Sequence, residues 1–458
     1  MFGRAGIGYS GYRVIPALDG GYWVGGETYP TDSTVQYWVA RFSPKGVMLW
    51  DSTYGGDLQD FLWSIQPSSD GGLLLAGYTG KQWSGAETAL MLRIDANGHT
   101  VARYEDVDPA RGVHSHFVGE RPQGGFVWAG HTVDSVTIAG RVVAGMLDAN
   151  FHPVWEKRFT LGSMAHGHCA VVTNDGGIMI AGHSDSIDQT THYFAMRLDS
   201  NGNQLWSNMY VSSSSMNDEP YGVCHTRRGG FAIFGGSYAN TSSMWLLVVD
   251  ADGKTILDKH YGSPTGWANS GIQCADGGYL IIGTIGATTN EIYAVKTDSL
   301  GNTEWTKTFT ATGNATGNDV FEHKNQFVMV GEADNGQVAG LWALYTDSKG
   351  VQAPYDTTSV QTGSVATTLP NGSNGIAISP NPMLAGSHTT ISFSAEDARS
   401  LVIYNALGQE LYAHSIANGA KLVQWDGLSS DGTSVAPGLY LAVVRAPTGS
   451  FEEKLMVR

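Results

Sequence analysis

Charge is scarce in this 458-residue chain: 15% of its residues are Asp, Glu, Lys or Arg, and 26 basic groups stand against 42 acidic ones, a net charge of −16. The basic surplus that a phosphate backbone requires is missing, which excludes nucleic acid as a partner. Long apolar runs are missing too. The longest, such as Tyr279 to Ile282, are strand-sized, far from the roughly 18 residues of a membrane-crossing helix. Cysteine is limited to Cys169, Cys224 and Cys274, an odd number in three different repeat units, so no disulfide framework is written here and buried free thiols are expected. A Gly-x-Ser-x-Gly elbow, a His-Glu-x-x-His pair and a phosphate loop are all lacking. The first residues, Met1 to Gly8, hold no apolar stretch of the signal-peptide kind.

Glycine, by contrast, is abundant at 60 residues, and much of it is periodic. A two-glycine turn followed by an apolar strand occurs at Asp19-Gly20-Gly21-Tyr22, Asp70-Gly71-Gly72-Leu73, Gln123-Gly124-Gly125-Phe126, Asp175-Gly176-Gly177-Ile178, Arg228-Gly229-Gly230-Phe231 and Asp276-Gly277-Gly278-Tyr279, with a degenerate seventh copy at Lys324-Asn325-Gln326-Phe327. Counting the first residue of each as zero, the copies are 51, 53, 52, 53, 48 and 48 residues apart. Position +7 is glycine every time: Gly26, Gly77, Gly130, Gly182, Gly235, Gly283 and Gly331.

Each unit reads as four antiparallel strands. An alternating segment such as Tyr12 to Ala17 enters the Asp-Gly turn, which is expected to be a two-residue hairpin, and a second apolar strand leaves it. A third strand ends in Asp95-Ala-Asn-Gly98, Asp199-Ser-Asn-Gly202, Asp250-Ala-Asp-Gly253, Asp298-Ser-Leu-Gly301 or Asp347-Ser-Lys-Gly350, the signature of a type I turn closed by a left-handed glycine. A fourth strand carries Trp50, Trp155, Trp206 or Trp305, sized to fill the space between units. The Asp-x-Asn-Gly turns are not calcium loops, because position 12 counted from Asp250 is Tyr261 rather than glutamate. Sheets of this kind, repeating about every 50 residues, bury their faces by stacking around an axis, so the fold class is all-β, a seven-bladed β-propeller of four-stranded antiparallel blades.

The repeat resembles the Asp-Gly-Gly-Tyr type of propeller repeat of secreted Bacteroidetes proteins, over residues 1–355. It partly resembles quinoprotein repeats, through Asp199 to Trp206 and Asp298 to Trp305, but lacks their usual threonine before the glycine. Residues 356–375 are rich in Ser, Thr and Gly with almost no large apolar residue, a linker composition. Residues 376–458 then carry Ser379-Pro-Asn-Pro382, Leu401-Val-Ile-Tyr-Asn405, Trp425-Asp-Gly427, Pro437-Gly-Leu-Tyr440 and Lys454-Leu455. Their short alternating strands fit a small sandwich. This set resembles the type A sorting domain of type IX secretion cargo, an immunoglobulin-like fold. The resemblance implies type IX machinery as partner, release from the outer surface or attachment to its lipopolysaccharide, and Gly438, Tyr440, Lys454 and Leu455 as the sorting signal. Such cargo also carries an inner-membrane leader. Alignment of the units places Gly3 where the second unit has Tyr54, so the chain opens at a repeat junction, as a mature chain or a shortened gene start would, with room upstream for a leader or a further blade.

The third and fourth units hold histidines at matching offsets: His114 and His166 at −9, His116 and His168 at −7, His131 and His183 at +8. A two-residue turn pairs −7 with +8, so His116 is expected opposite His131 and His168 opposite His183. All six fall at the strand ends away from the turn, and neutral imidazoles suit zinc or copper. The same positions elsewhere hold Tyr12, Trp63, Tyr221 and Tyr78, so the offsets also read as a ring of flat side chains for stacking on sugar or peptide. The favoured expectation is therefore a secreted or cell-surface, non-catalytic binding module for a glycan or protein ligand, with Tyr12, Trp63, Tyr78, His116, His131, His168, His183 and Tyr221 as the contact set and no cofactor. The alternatives are a polysaccharide-acting enzyme using Glu27, Glu219 or Glu332, and a metal-binding propeller using the six histidines.

Overall fold

The computed structural model describes residues 8–352 and 376–457, apart from short connecting stretches between strands, chief among them 81–86, 135–139, 186–189, 213–216, 335–338, 380–388, 394–397 and 406–409. The expected linker, 356–375, lies outside the described residues. The chain divides into two compact units, Met1–Gly363 and Ser364–Arg458.

Within the first unit the described strands form seven antiparallel meander sheets, taken in chain order. Six are four-stranded, beginning with Gly8–Pro16, Tyr22–Thr31, Thr34–Phe42 and Met48–Tyr54. In the seventh, Ala315–His323, Gln326–Asp334 and Ala339–Asp347 are described strands, and Gln352 makes a single bridge to Thr346.

Seven apolar clusters hold the sheets together, each made of residues from two neighbours. Val24, Trp38, Val330 and Leu341 join the seventh sheet to the first, so the stack closes on itself in a β-propeller-like ring. Polar groups seal the same junction: the Val14 amide donates to Asp319 Oδ2 at 2.8 Å, and Asn318 Nδ2 donates to the Gly11 carbonyl at 2.8 Å. The half-buried tryptophans of the fourth strands reach into the next sheet. Trp155 Nε1 donates to the Ser200 carbonyl, Trp206 to Ala251 and Trp305 to Ser348, each within the Asp-x-x-Gly turn of the neighbour.

The Asp-Gly turns are longer than a two-residue hairpin. Pro16 pairs with Tyr22, leaving five residues between the strands, and Gly20 donates to the Ala17 carbonyl with its φ at +85°. The first glycine supplies that left-handed backbone. Only the degenerate seventh copy has the expected two-residue turn, with His323 paired to Gln326 and Asn325 at φ +62°.

The second unit has two sheets around one core. Ile376–Ser379, Thr389–Phe393 and Leu422–Trp425 form one; Glu410–Ser415, Ser400–Asn405, Gly438–Ala446 and Gly449–Val457 form the other. Tyr440 and Leu455 are cross-strand partners, both buried beside Trp425. Gly438 and Lys454 lie on the same two strands; the Lys454 side chain, like Pro380 to Pro382, is outside the described residues.

Candidate functional site

One irregularity, repeated seven times, builds the site. In every sheet of the first unit the first strand carries a β-bulge, and the extra residue is Tyr12, Trp63, His116, His168, Tyr221, Asn269 or Asn318. A bulge leaves its residue unpaired and re-aims its side chain. All seven, together with Arg13, line one cavity of about 170 Å³. It continues into a second of about 260 Å³ walled by the first strands of all seven sheets.

The glycine at +7 is what permits the bulge. Gly130 pairs with Ser115, and a Cβ added there would stand 1.9 Å from the His114 carbonyl oxygen. The corresponding distances are 1.8 Å from Gly26 to the Ser10 carbonyl, 1.9 Å from Gly77 to that of Phe61, and 1.9 Å from Gly182 to that of His166. None of these four glycines has a positive φ. The requirement is therefore close approach of two backbones rather than conformational freedom.

The bulge and the longer turn together correct the expected register by two residues. His131 pairs with His114, not His116, and His183 pairs with His166, not His168. His116 and His168 stand at the bulges, nearer the axis. The six rings nevertheless come together: centroids lie 4.8 Å apart for His116 and His131, 5.4 Å for His116 and His168, and 4.1 Å for His131 and His166, which stack. They line, with Trp63, Tyr78, Glu219 and Tyr221, a cavity of about 480 Å³. Burial drives the imidazoles toward the neutral form, to a pKa of about 3 at His114 and at His166, and well below the ordinary value at His116, His131 and His168, where neighbouring rings add to the effect. His168 Nε2 and His183 Nδ1 share a hydrogen bond at 3.0 Å.

Of the predicted stacking set, Tyr12, Trp63, His116, His168 and Tyr221 line the ring, and Tyr78, His131 and His183 line the adjoining cavity. Trp63 keeps 39% of its surface exposed while stacking on His116 at 4.7 Å. Three ring members carry no aromatic ring. Asn269 sits at −7 like the others, Asn318 is displaced to −6 by the shorter turn, and Arg13 follows the first bulge, its Nη2 donating across the channel to the Tyr221 carbonyl at 3.4 Å.

The three candidate glutamates separate. Glu27 and Glu332 belong to the joined first and seventh sheets, Glu219 to the histidine side. Glu27 is buried and accepts from Tyr29 at 2.8 Å, Tyr12 at 3.2 Å and the Leu62 amide at 3.1 Å, while Glu332 accepts from Ser10 at 2.7 Å. Burial pushes the Glu27 carboxyl up to about 7, against the pull of its donors. Glu219 is half-buried and accepts from Tyr221. Glu27 and Glu219 thus hold ring tyrosines by their hydroxyls. The cysteines are unbridged, with Cys169 and Cys274 buried and Cys224 half-buried; burial lifts the Cys169 and Cys224 thiols to about 12.

No family model matches the chain, and no curated protein sequence matches it. Among solved structures, PorZ, an essential surface component of the type-IX secretion system of Porphyromonas gingivalis, aligns at 12% identity over 98% of this chain and 59% of its own, with a TM-score of 0.44. A puromycin hydrolase aligns at 10% identity over 88% of this chain and 57% of its own, with a TM-score of 0.47. A protein of unknown function from Dyadobacter fermentans aligns at 10% identity over 76% of this chain and 96% of its own, with a TM-score of 0.43. The chain spans less than two thirds of the length of the first two.

Proposed function

We propose that this protein is a secreted or cell-surface seven-bladed β-propeller, with blades over 1–355, that binds a glycan or protein ligand at the ring of bulge residues without transforming it. The observation that carries this reading is the convergence of seven re-aimed side chains on one mouth. Five of the seven, Tyr12, Trp63, His116, His168 and Tyr221, offer flat faces or edges, and Asn269, Asn318 and Arg13 add hydrogen-bonding groups. Each aromatic contact contributes about 0.5–1.5 kcal/mol beyond its burial, and the amides and guanidinium fix orientation. Glu27 lies behind Tyr12 and holds its hydroxyl, which supports positioning rather than acid catalysis. The full chain is expected to bind members of a combined glycan and peptide panel with no product released. Turnover lost on Glu27→Gln or Glu219→Gln overturns the non-catalytic reading.

The second unit, read as an immunoglobulin-like sorting domain, carries the chain through type IX machinery to the outer surface, with lipopolysaccharide as the attachment point. Its terminal motif supports this, since Tyr440 and Leu455 meet in the core and place Gly438 and Lys454 on the same paired strands. Behind a common inner-membrane leader, in a type IX-competent bacterium, the full chain is expected outside the cell. The chain ending at Gly363 is expected to stay in the periplasm; equal export of both discards the sorting role.

A further inference from the structure

The histidines of the third and fourth sheets carry more than a flat ring requires. At the three offsets they occupy, other sheets use Ser10, Tyr12 and Glu27, or Phe61, Trp63 and Tyr78, or Glu219, Tyr221 and Gly236. The backbone therefore imposes no preference for imidazole, yet two adjacent sheets fill all three places with it. His114, His116 and His131 form one triad and His166, His168 and His183 another, and within each triad one nitrogen from every ring lies within 4.8 Å of the others.

Several ring nitrogens of the two triads have no partner where one is costly to lack. His116 Nε2, His131 Nδ1 and His166 Nε2 are buried without a hydrogen bond. Each such atom costs about 1–3 kcal/mol unless something occupies its lone pair or takes its proton. A structural histidine is ordinarily bonded at both nitrogens. The rings are also held neutral by burial, the state in which imidazole ligates.

We propose that the two triads are a pair of equivalent transition-metal sites, each binding one zinc- or copper-class divalent ion through three histidines and leaving a fourth position open to the ring cavity. In a tetrahedral site two zinc–nitrogen bonds of about 2.0–2.1 Å hold their nitrogens about 3.4 Å apart, so each triad closes by side-chain adjustment of at most about 1.5 Å. The donor set is nitrogen alone, which selects zinc, copper or nickel over calcium or magnesium. The hydrogen bond between His168 Nε2 and His183 Nδ1 gives way on binding, and the proton it used passes to the other nitrogen of its own ring, so both imidazoles ligate in the neutral form. The open position faces the cavity that Glu219 and Tyr221 line, where a donor atom of a bound ligand completes the coordination. This inference rests on the histidines alone and not on the identity of any ligand.

The test uses the untagged full chain, stripped with chelator, equilibrated separately with Zn²⁺, Cu²⁺ and Co²⁺, desalted and analysed for metal. Two ions per chain are expected for zinc, with Co²⁺ giving the intense visible bands of a four-coordinate site. His116→Phe with His131→Phe is expected to halve the content, His168→Phe with His183→Phe to halve it likewise, and the four together to abolish it. Circular dichroism confirms that each variant is folded. Less than a tenth of an ion in the wild-type chain overturns the proposal without recourse to variants, and a content unmoved by the four substitutions places the metal elsewhere and does the same. Repeating the panel of glycans and peptides with chelator present keeps the outcomes apart: metal without panel binding sinks only the ligand reading, and chelator-insensitive panel binding without metal sinks only this one.

Discussion

Gly130→Ala is expected to destabilise the first unit by about 3 kcal/mol or more and to disorder the histidine cluster with it. The added methyl would stand 1.9 Å from the His114 carbonyl oxygen, a backbone atom that no rotamer change can move aside. Relief requires the first strand to retreat, and that strand carries the bulge at His116 and packs against the preceding sheet. Overpacking of a rigid site costs about 1–3 kcal/mol in ordinary cores, and the absence of a flexible neighbour puts this position at or above that range. Gly56→Ala is the control. Nothing lies within 4 Å of a Cβ there and its φ is not positive, so its effect should stay within about 0.5 kcal/mol. Urea titrations followed by tryptophan fluorescence measure both; equal midpoints for the two variants contradict the account of the +7 glycine.

Acid should weaken the metal-free protein through the same cluster. His114 and His166 have pKa values held near 3 by burial, whereas an unfolded chain titrates histidine near 6.5. The unfolded state takes up protons first as pH falls, so stability is complete above about 6.5 and drains away between there and about 3. At pH 5 these two residues alone cost about 4 kcal/mol, on the scale of a domain's whole stability, and the other four act in the same direction. Glu27 works the opposite way. Its raised pKa lets the folded state bind a proton more readily, so its contribution grows as pH falls from about 7. Comparison with a variant isolates the histidine effect. His114→Phe with His166→Phe keeps the stacks on Tyr78 and His131, at 3.9 and 4.1 Å, but removes the titrating nitrogens. Thermal unfolding at pH 7.5 and 5.0 should show a steep loss in the wild type and a loss smaller by about 4 kcal/mol in the variant; identical pH dependence removes burial of neutral imidazole as the cause.

The repeat was legible because turns and close approaches leave glycine, and glycine at a fixed offset survives as a pattern. The ring was half legible for the same reason: position −7 marked Tyr12, Trp63, His116, His168 and Tyr221. What the pattern concealed was register. Asp-Gly suggested a two-residue hairpin, whereas Pro16 pairs with Tyr22, and a bulge leaves no mark other than the glycine that accommodates it. The two displacements moved the cross-strand partner of His131 from His116 to His114. Asn269 and Asn318 stand outside any pattern of flat rings, and Asn318 is displaced from the shared offset as well by the shorter turn of its unit. Arg13 was invisible to any offset rule, since its role comes from reaching across the axis to Tyr221, a contact 208 residues distant in sequence. The pairing of Ser10 with Glu332 is likewise a product of ring closure.

The central claim is that the seven bulges make one binding mouth. It is tested most directly by titrating the strongest ligand from the glycan and peptide panel into the wild type and into Trp63→Ala with Tyr221→Ala, at matched thermal stability. Trp63 is exposed and Tyr221 half-buried, so their removal leaves the sheet clusters intact. Loss of two stacking faces predicts an affinity at least tenfold weaker, equivalent to about 1.4 kcal/mol. An unchanged affinity, with binding abolished instead by substitutions on the outer fourth strands, would place the function away from the bulges and contradict the account.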